Sequence, residues 1–172
     1  NGTLTLAANS IRNADLNFVG GAAQAVDGSG AIVFGGTPDR RFDNNLRITN
    51  NGSNFVETVT LGAGIEVRGG KGRITSNSQD GFVILGPIIG SADGGIELAG
   101  AFADYAGQTM NIQNVGGSVR MSADLTNAEL VVTGEPLVIR NTQTFDNVTL
   151  NGDAVVQAPT SGSGTTSLLV QN

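Results

Sequence analysis

The chain has 172 residues, is 39% hydrophobic, carries a formal net charge of −6 and contains neither Cys nor His. Its length and hydrophobic content suit one domain with a continuous core, whereas the negative charge and only nine Lys and Arg residues argue against a nucleic-acid partner. Disulfides, thiolate or imidazole metal sites, and Ser-His-Asp or Cys-His catalysis are excluded. We expect no metal, no cofactor and no membrane insertion by this chain, since no apolar run approaches roughly 20 residues.

Short strand-like runs follow one another along the whole chain. Each run is bounded by Gly, Asn, Asp or Pro. The best helical candidate, AFADYAGQ at 101–108, is barely two turns long. In chain order the runs are 3–7, 16–19, 31–34, 46–49, 59–61, 65–68, 73–76, 82–85, 96–98, 110–112, 118–121, 129–132, 137–139, 148–150, 154–156 and 167–170. The sequence therefore predicts an all-β fold.

The shortness of the runs favours a β-helix, because sandwiches and barrels usually use strands of about five residues or more. The segment that begins at Leu46 aligns with the segment that begins at Leu137 over one candidate coil, and Val59 and Val83 give a second period. One coil per roughly 22 to 25 residues gives about seven coils. We predict a single-stranded right-handed parallel β-helix (β-solenoid) that forms one domain over residues 1–172.

Asparagine is predicted to form corners of this coil. A branched aliphatic residue stands two positions before an Asn in five places. Asn accepts the left-handed backbone of a sharp corner, and stacked side-chain amides can hydrogen-bond as a ladder. The alternative is that Asn-rich loops simply follow strands, as in any β protein. The predicted structural corners are Asn13, Asn50, Asn114, Asn141 and Asn172.

The runs GTLTLAA and NVTLNGDAVVQ, the Asn corners and the low aromatic content resemble the right-handed parallel β-helix of bacterial secreted and surface proteins. Autotransporter passengers and filamentous-haemagglutinin-type adhesins are the examples, and the resemblance covers nearly all of the chain. It implies a non-catalytic structural or adhesive segment that is extracellular or at the cell surface. Its implied partners are a host or matrix glycan or protein, and the rest of its own chain, because NGTLTL opens inside strand-like sequence and suggests a fragment of a longer protein.

Two segments interrupt the strand rhythm and are expected to protrude. In TPDRRFDNN at 37–45, the two arginines could bind an acidic or glycan ligand and the Phe could stack on it; alternatively, the Phe covers a strand edge. ADYAGQ at 103–108 is the second such segment. The expected ligand-binding residues are Asp39, Arg40, Arg41, Phe42, Asp43 and Tyr105.

Some β-helix relatives are polysaccharide lyases or glycoside hydrolases, so a carbohydrate-active enzyme or a phage tailspike fragment is the alternative function. Glycoside hydrolysis needs two carboxylates about 5 to 10 Å apart in one groove. An enzyme would gather such acids with an Arg or Lys, whereas a scaffold would scatter them. The candidates are Asp39 with Asp43, Asp93 with Glu97, and Asp104 beside Tyr105.

Overall fold

The computed structural model describes residues 2–9, 12–19, 23–35, 44–49, 57–76, 80–91, 94–158 and 166–171. Over these ranges the chain is all-β and forms a parallel β-solenoid of about six turns, which confirms the predicted fold class and is close to the predicted coil number. No helix in these ranges is long and apolar enough to cross a membrane. In chain order the strands are β1 (Gly2–Ala7), β2 (Ala14–Val19), β3 (Gln24–Val26), β4 (Gly30–Gly35), β5 (Asn44–Thr49), β6 (Thr58–Leu61), β7 (Ile65–Gly69), β8 (Gly72–Thr75), β9 (Gly81–Ile84), β10 (Ile88–Ser91), β11 (Ile96–Ala101), β12 (Thr109–Val115), β13 (Val119–Gly134), β14 (Leu137–Ile139), β15 (Gln143–Asn151), β16 (Ala154–Val156) and β17 (Leu168–Gln171).

Each turn of the solenoid contributes to three faces, and strands of adjacent turns pair in parallel. The first face contains β1, β4, β7, β10, β12 and the later parts of β13 and β15. The second face contains β2, β5, β8, β11, the first part of β13, β14 and β16. The third face begins with β3, β6 and β9 and ends with the pairing of β15 and β17. Because parallel neighbours lie about 4.8 Å apart, residues in register form columns along the solenoid axis.

The core consists of aliphatic columns. On the second face, Leu46, Ile74, Leu98, Met121 and Ile139 are in register over five turns, and all five are fully buried. Alternation along each strand points these side chains inward and their neighbours outward. Each inward side chain therefore packs against the turns above and below, as in other solenoids.

The aliphatic columns become exposed at the last described turn. Val156 continues the column of Ile139 but is 46% exposed. Leu150 on the first face and Val170, which pairs with Phe145, are 39% and 60% exposed. Inward residues of this last turn are thus more exposed than their counterparts in the preceding turn.

The predicted Asn corners that the structure describes, Asn13, Asn114 and Asn141, do not stack on one another. Asn114 is buried at a corner between the first and second faces, where its Oδ1 accepts the Val119 N–H at 2.8 Å and its Nδ2 donates to the carbonyls of the following turn. Asn141 has φ 61° and follows β14 at the opposite edge of the second face, and Asn13 is exposed just before β2. Asn50 and Asn172 lie outside the described residues. Asn13 and Asn114 lie at the same corner but in turns that are not adjacent, and Asn141 lies at another corner, so these three described residues do not form the expected ladder.

An amide ladder exists at another corner. Asn127 and Asn147 both have φ 51° and lie in adjacent turns, where the Asn147 Nδ2 donates to the Asn127 Oδ1 at 2.7 Å. The Asn127 Nδ2 donates in turn to the Asp104 Oδ2 at 2.9 Å. The predicted ladder of side-chain amides is therefore present, but it is formed by Asn127 and Asn147, which are not among the predicted corner residues.

Candidate functional site

Most of the predicted binding loop lies outside the described residues, so its role in ligand binding stays a prediction. Asp39, Arg40, Arg41, Phe42 and Asp43 lie outside the described residues. The last two residues of the predicted loop, Asn44 and Asn45, begin β5 and are buried, so the prediction that they protrude is wrong. The Asn44 side chain instead joins three turns: its Oδ1 accepts the Ala8 N–H at 2.8 Å, and its Nδ2 donates to the carbonyls of Gly35 and Lys71.

Tyr105 is a core residue and not a ligand-binding residue. Its side chain is fully buried, and its hydroxyl accepts a hydrogen bond from the Ile84 backbone N–H at 2.9 Å. Burial raises the pKa of Tyr105 well above its usual value, since it disfavours the charged form, although the hydrogen bond from Ile84 opposes this effect. Segment 103–108 is therefore part of the third face and its corner, and the expectation that it protrudes as a second loop is wrong.

The described acids that were candidates for catalysis lie apart. Glu97 is on the outward side of the second face, where it pairs in register with Arg73 and Arg120. Asp104 accepts hydrogen bonds from the Ala106 N–H at 2.7 Å and from Asn127 at the corner of the third face. Asp93 lies outside the described residues. Glu97 and Asp104 thus belong to different surfaces of the solenoid.

Four arginines share the outward side of the second face, and we call this surface the arginine face. Arg73 and Arg120 stand in one column with Glu97 between them. Arg47 stands in the adjacent column, two residues further along each strand, and Arg140 extends that column after β14. From the spacing of parallel strands, Arg73 and Arg120 are about 10 Å apart along the axis, and the whole set spans about 19 Å.

Each arginine is positioned by a contact along the surface. Arg47 forms an ion pair with Asp15, and the Arg73 Nε lies 4.0 Å from the Glu97 Oε2. The Arg120 Nη1 donates to the Gly94 carbonyl at 2.7 Å. The Arg140 Nε and Nη2 both donate to the Gln157 Oε1, at 3.1 and 2.9 Å. The side chains of Arg47 and Arg73 remain 36% and 43% exposed, although the Nε of each is shielded from solvent, so an anion can approach part of each side chain.

The sign of the charge separates this face from the rest of the chain. Four arginines with the two acids Asp15 and Glu97 give its two central outward columns a net charge of +2, and the outward Asp124 at the end of the face lowers this to +1, in a chain of net charge −6. Outward acids of the other faces include Glu66 and Glu129 on the first face and Asp146 on the third. An anionic partner is therefore attracted to the arginine face more than to the other two.

A groove of about 570 Å³ borders the arginine face. Val138 lies in register with Arg120, and the groove also includes Gln157, to which Arg140 donates. Glu135 is the acid among its described lining residues, and glycines form much of the corner beside it. The lining residues are Gly116, Gly117, Ser118, Glu135, Pro136, Val138, Val155 and Gln157.

The arginines could not be grouped from the sequence. Arg47, Arg73 and Arg120 occupy polar positions in strand-like runs, for example in LRIT at 46–49 and RITS at 73–76, and Arg140 directly follows the run at 137–139. Alternation predicts that such residues point outward, but only the pairing between turns shows that they share a face.

Comparison of the chain with protein-family models, with curated proteins and with solved structures gives no match. The resemblance to autotransporter passengers and haemagglutinin-type adhesins therefore stays a prediction.

Proposed function

We propose that the chain is a non-catalytic structural and adhesive segment of an extracellular bacterial surface or secreted protein, and that its arginine face contacts an anionic glycan or protein of a host or matrix. The observation that carries this proposal is the grouping of Arg47, Arg73, Arg120 and Arg140 on one sheet face of a chain with net charge −6. Guanidinium groups suit this role because they bind carboxylate and sulfate oxygens through paired hydrogen bonds.

The solenoid suits a stalk. Its turns stack in parallel with continuous hydrogen-bonded sheets, so surface groups keep fixed separations along the axis. A partner with anionic groups along its length can contact several arginines together, which raises the overall affinity without any tight single site. The finer assignment, to an autotransporter passenger or a filamentous-haemagglutinin-like adhesin, rests on the short strands and Asn-rich corners that the sequence shares with that architecture.

The alternative function is a carbohydrate-active β-helix that uses surface carboxylates. Glycoside hydrolysis needs a second acid within about 10 Å of the first. The groove beside the arginine face has Glu135 as the acid among its described lining residues. Glu97 and Asp104 lie on different faces. This arrangement favours binding over cleavage.

The test compares binding to acidic and neutral glycans on an array, at low and at physiological salt, for the parent and two matched variants. Arg73→Gln removes one charge from the arginine face, and Arg68→Gln removes one charge from the first face. The two arginines are similar, because Arg68 lies 2.9 Å from Glu66 and Arg73 lies 4.0 Å from Glu97, and both are about half exposed. Arg73→Gln should weaken binding to acidic glycans about tenfold, since a charge-assisted hydrogen bond contributes about 1.5 kcal/mol.

Arg68→Gln should leave acidic-glycan binding unchanged. Equal weakening by both variants would show that net charge, and not the arginine face, governs binding. Failure to prefer acidic over neutral glycans would remove the proposed partner class. Release of shortened glycan chains by the purified protein would favour the carbohydrate-active alternative.

A further inference from the structure

Two carboxylates are buried together at the corner between the second and third faces. Glu57 is the residue before β6, and Asp80 is the residue before β9. Their exposed fractions are 0% and 1%, and they are the buried acids in the described part of the chain. This corner is distinct from the arginine face, whose side chains point outward.

Glu57 and Asp80 occupy equivalent positions in adjacent turns. The pairing of β6 with β9 places them one above the other, at a separation of about 4.8 Å between turns. The Glu57 backbone N–H donates to the Asp80 Oδ1 at 2.9 Å. Val59 and Phe82, two positions further along, both point into the core. By alternation, the carboxyl side chains of Glu57 and Asp80 leave the chain on that same inner side.

The Glu57 carboxylate has no hydrogen-bond partner in the part of the chain that the structure describes. Both Oε1 and Oε2 are shielded from solvent and unbonded, and none of the ion pairs within the described residues involves Glu57. The buried base Lys71 directly precedes β8, at the opposite edge of the second face. A buried, unpaired carboxylate is strongly unfavourable, and a second carboxylate one turn away adds repulsion. A cation between the two side chains would remove both penalties.

We propose that Glu57 and Asp80 form a buried Ca²⁺ site that links the second turn to the third. Ca²⁺ accepts six to eight oxygen ligands in irregular arrangements, so the two oxygens of Glu57 and the Asp80 carboxylate can be completed by backbone carbonyls or water. Mg²⁺ suits the corner less well, because it requires near-ideal octahedral geometry and retains several waters. Zn²⁺ prefers the thiolate and imidazole ligands that this chain lacks.

The test uses the full chain after removal of divalent cations with EGTA. Addition of about 1 mM Ca²⁺ should raise the melting temperature by about 5 °C, since a ligand that binds only the folded state stabilises it. Mg²⁺ at the same concentration should have a much smaller effect. In Glu57→Gln the Ca²⁺-dependent shift should disappear. The Ca²⁺-free variant should also melt above the Ca²⁺-free parent, because the unpaired buried charge is gone.

Glu66→Gln is the matched control. Glu66 lies on the first face and pairs with Arg68, so its removal should keep the whole Ca²⁺-dependent shift. The site is ruled out if Ca²⁺ leaves the EGTA-treated parent unchanged, if Glu57→Gln keeps the shift, or if Glu66→Gln loses it. Should Glu57→Gln fail to fold, calorimetric titration of the parent with Ca²⁺ decides: one site per chain supports the proposal, and no binding overturns it.

Discussion

Replacing Ile139 with Asp should destabilise the solenoid by several kcal/mol. Ile139 is fully buried on the second face, between Met121 and Val156 of the adjacent turns. An aspartate at this position would lose the aliphatic contacts of the column and would place a carboxyl group where no water reaches it. The perturbation therefore tests whether the inward columns hold the turns together.

The magnitude follows from two contributions. Loss of a buried Ile side chain costs about 1.5 to 3 kcal/mol. Keeping the new carboxyl group neutral at pH 7, against an ordinary Asp pKa near 3.9, costs about 4 kcal/mol more. The expected loss is thus about 5.5 to 7 kcal/mol, unless the last turns unfold locally at a lower cost, which a solenoid permits. Local unfolding would appear as a shallower slope of the free energy of unfolding against urea concentration, because less surface becomes exposed.

Urea titration followed by circular dichroism measures this loss, and Val156→Asp is the control. Val156 belongs to the same column one turn further on, but it is 46% exposed. Its aspartate can reach water, so the loss should stay within about 1 kcal/mol. A loss below about 1 kcal/mol for Ile139→Asp, or equal losses for both variants, would refute the proposed role of the inward column.

Two further predictions concern a buried hydroxyl and a left-handed corner. Tyr105→Phe should cost about 1 to 3 kcal/mol in urea titration, because it leaves the buried Ile84 N–H without its acceptor. Since burial raises the pKa of Tyr105 above its unfolded value near 10, the stability it contributes is complete below pH 10 and falls as pH rises further; tyrosinate absorbance should therefore appear together with unfolding in an alkaline titration. Asn127→Ala should cost about 1 to 2 kcal/mol more than Asn127→Gly, because glycine tolerates φ 51° and alanine does not; equal losses would mean that the amide bonds alone stabilise this corner.

The fold class could be predicted because every coil of the solenoid keeps short runs of alternating apolar and polar residues, bounded by residues that favour turns. The sequence did not predict which face each run occupies. Aligning the segment that begins at Leu46 with the segment that begins at Leu137 places Val59 opposite Val148, yet Val59 lies on the third face and Val148 on the first. Turn length is the reason: register positions Gly30 and Ile65 are 35 residues apart, whereas Leu130 and Leu150 are 20 apart. A fixed period of about 24 residues therefore drifts from one face to the next. The predicted period between Val59 and Val83 also misses the register by one residue, because Val59 pairs with Phe82 and Val83 with the outward Thr60.

The three-residue corner motif did not find the residues that form the amide ladder, for a related reason. The ladder residues Asn127 and Asn147 also follow an inward apolar residue by two positions, but these residues are Leu125 and Phe145. A search restricted to Ile and Val misses both. A corner of this kind requires an inward apolar side chain and, two positions later, a residue with a left-handed backbone. A motif of three residues specifies neither which apolar residue comes first nor which corner of the coil it occupies.

The order of charges on the arginine face limits how it can bind. Like charges directly opposite each other on neighbouring strands are destabilising. Arg73 and Arg120 are separated by Glu97, and Arg47 and Arg140 stand in a second column at opposite ends of the set. The face therefore presents its guanidinium groups at wide intervals and not as one dense cluster. A short anion reaches one or two of them, while an extended polyanion reaches all four, so the affinity of the proposed partner must increase with its length.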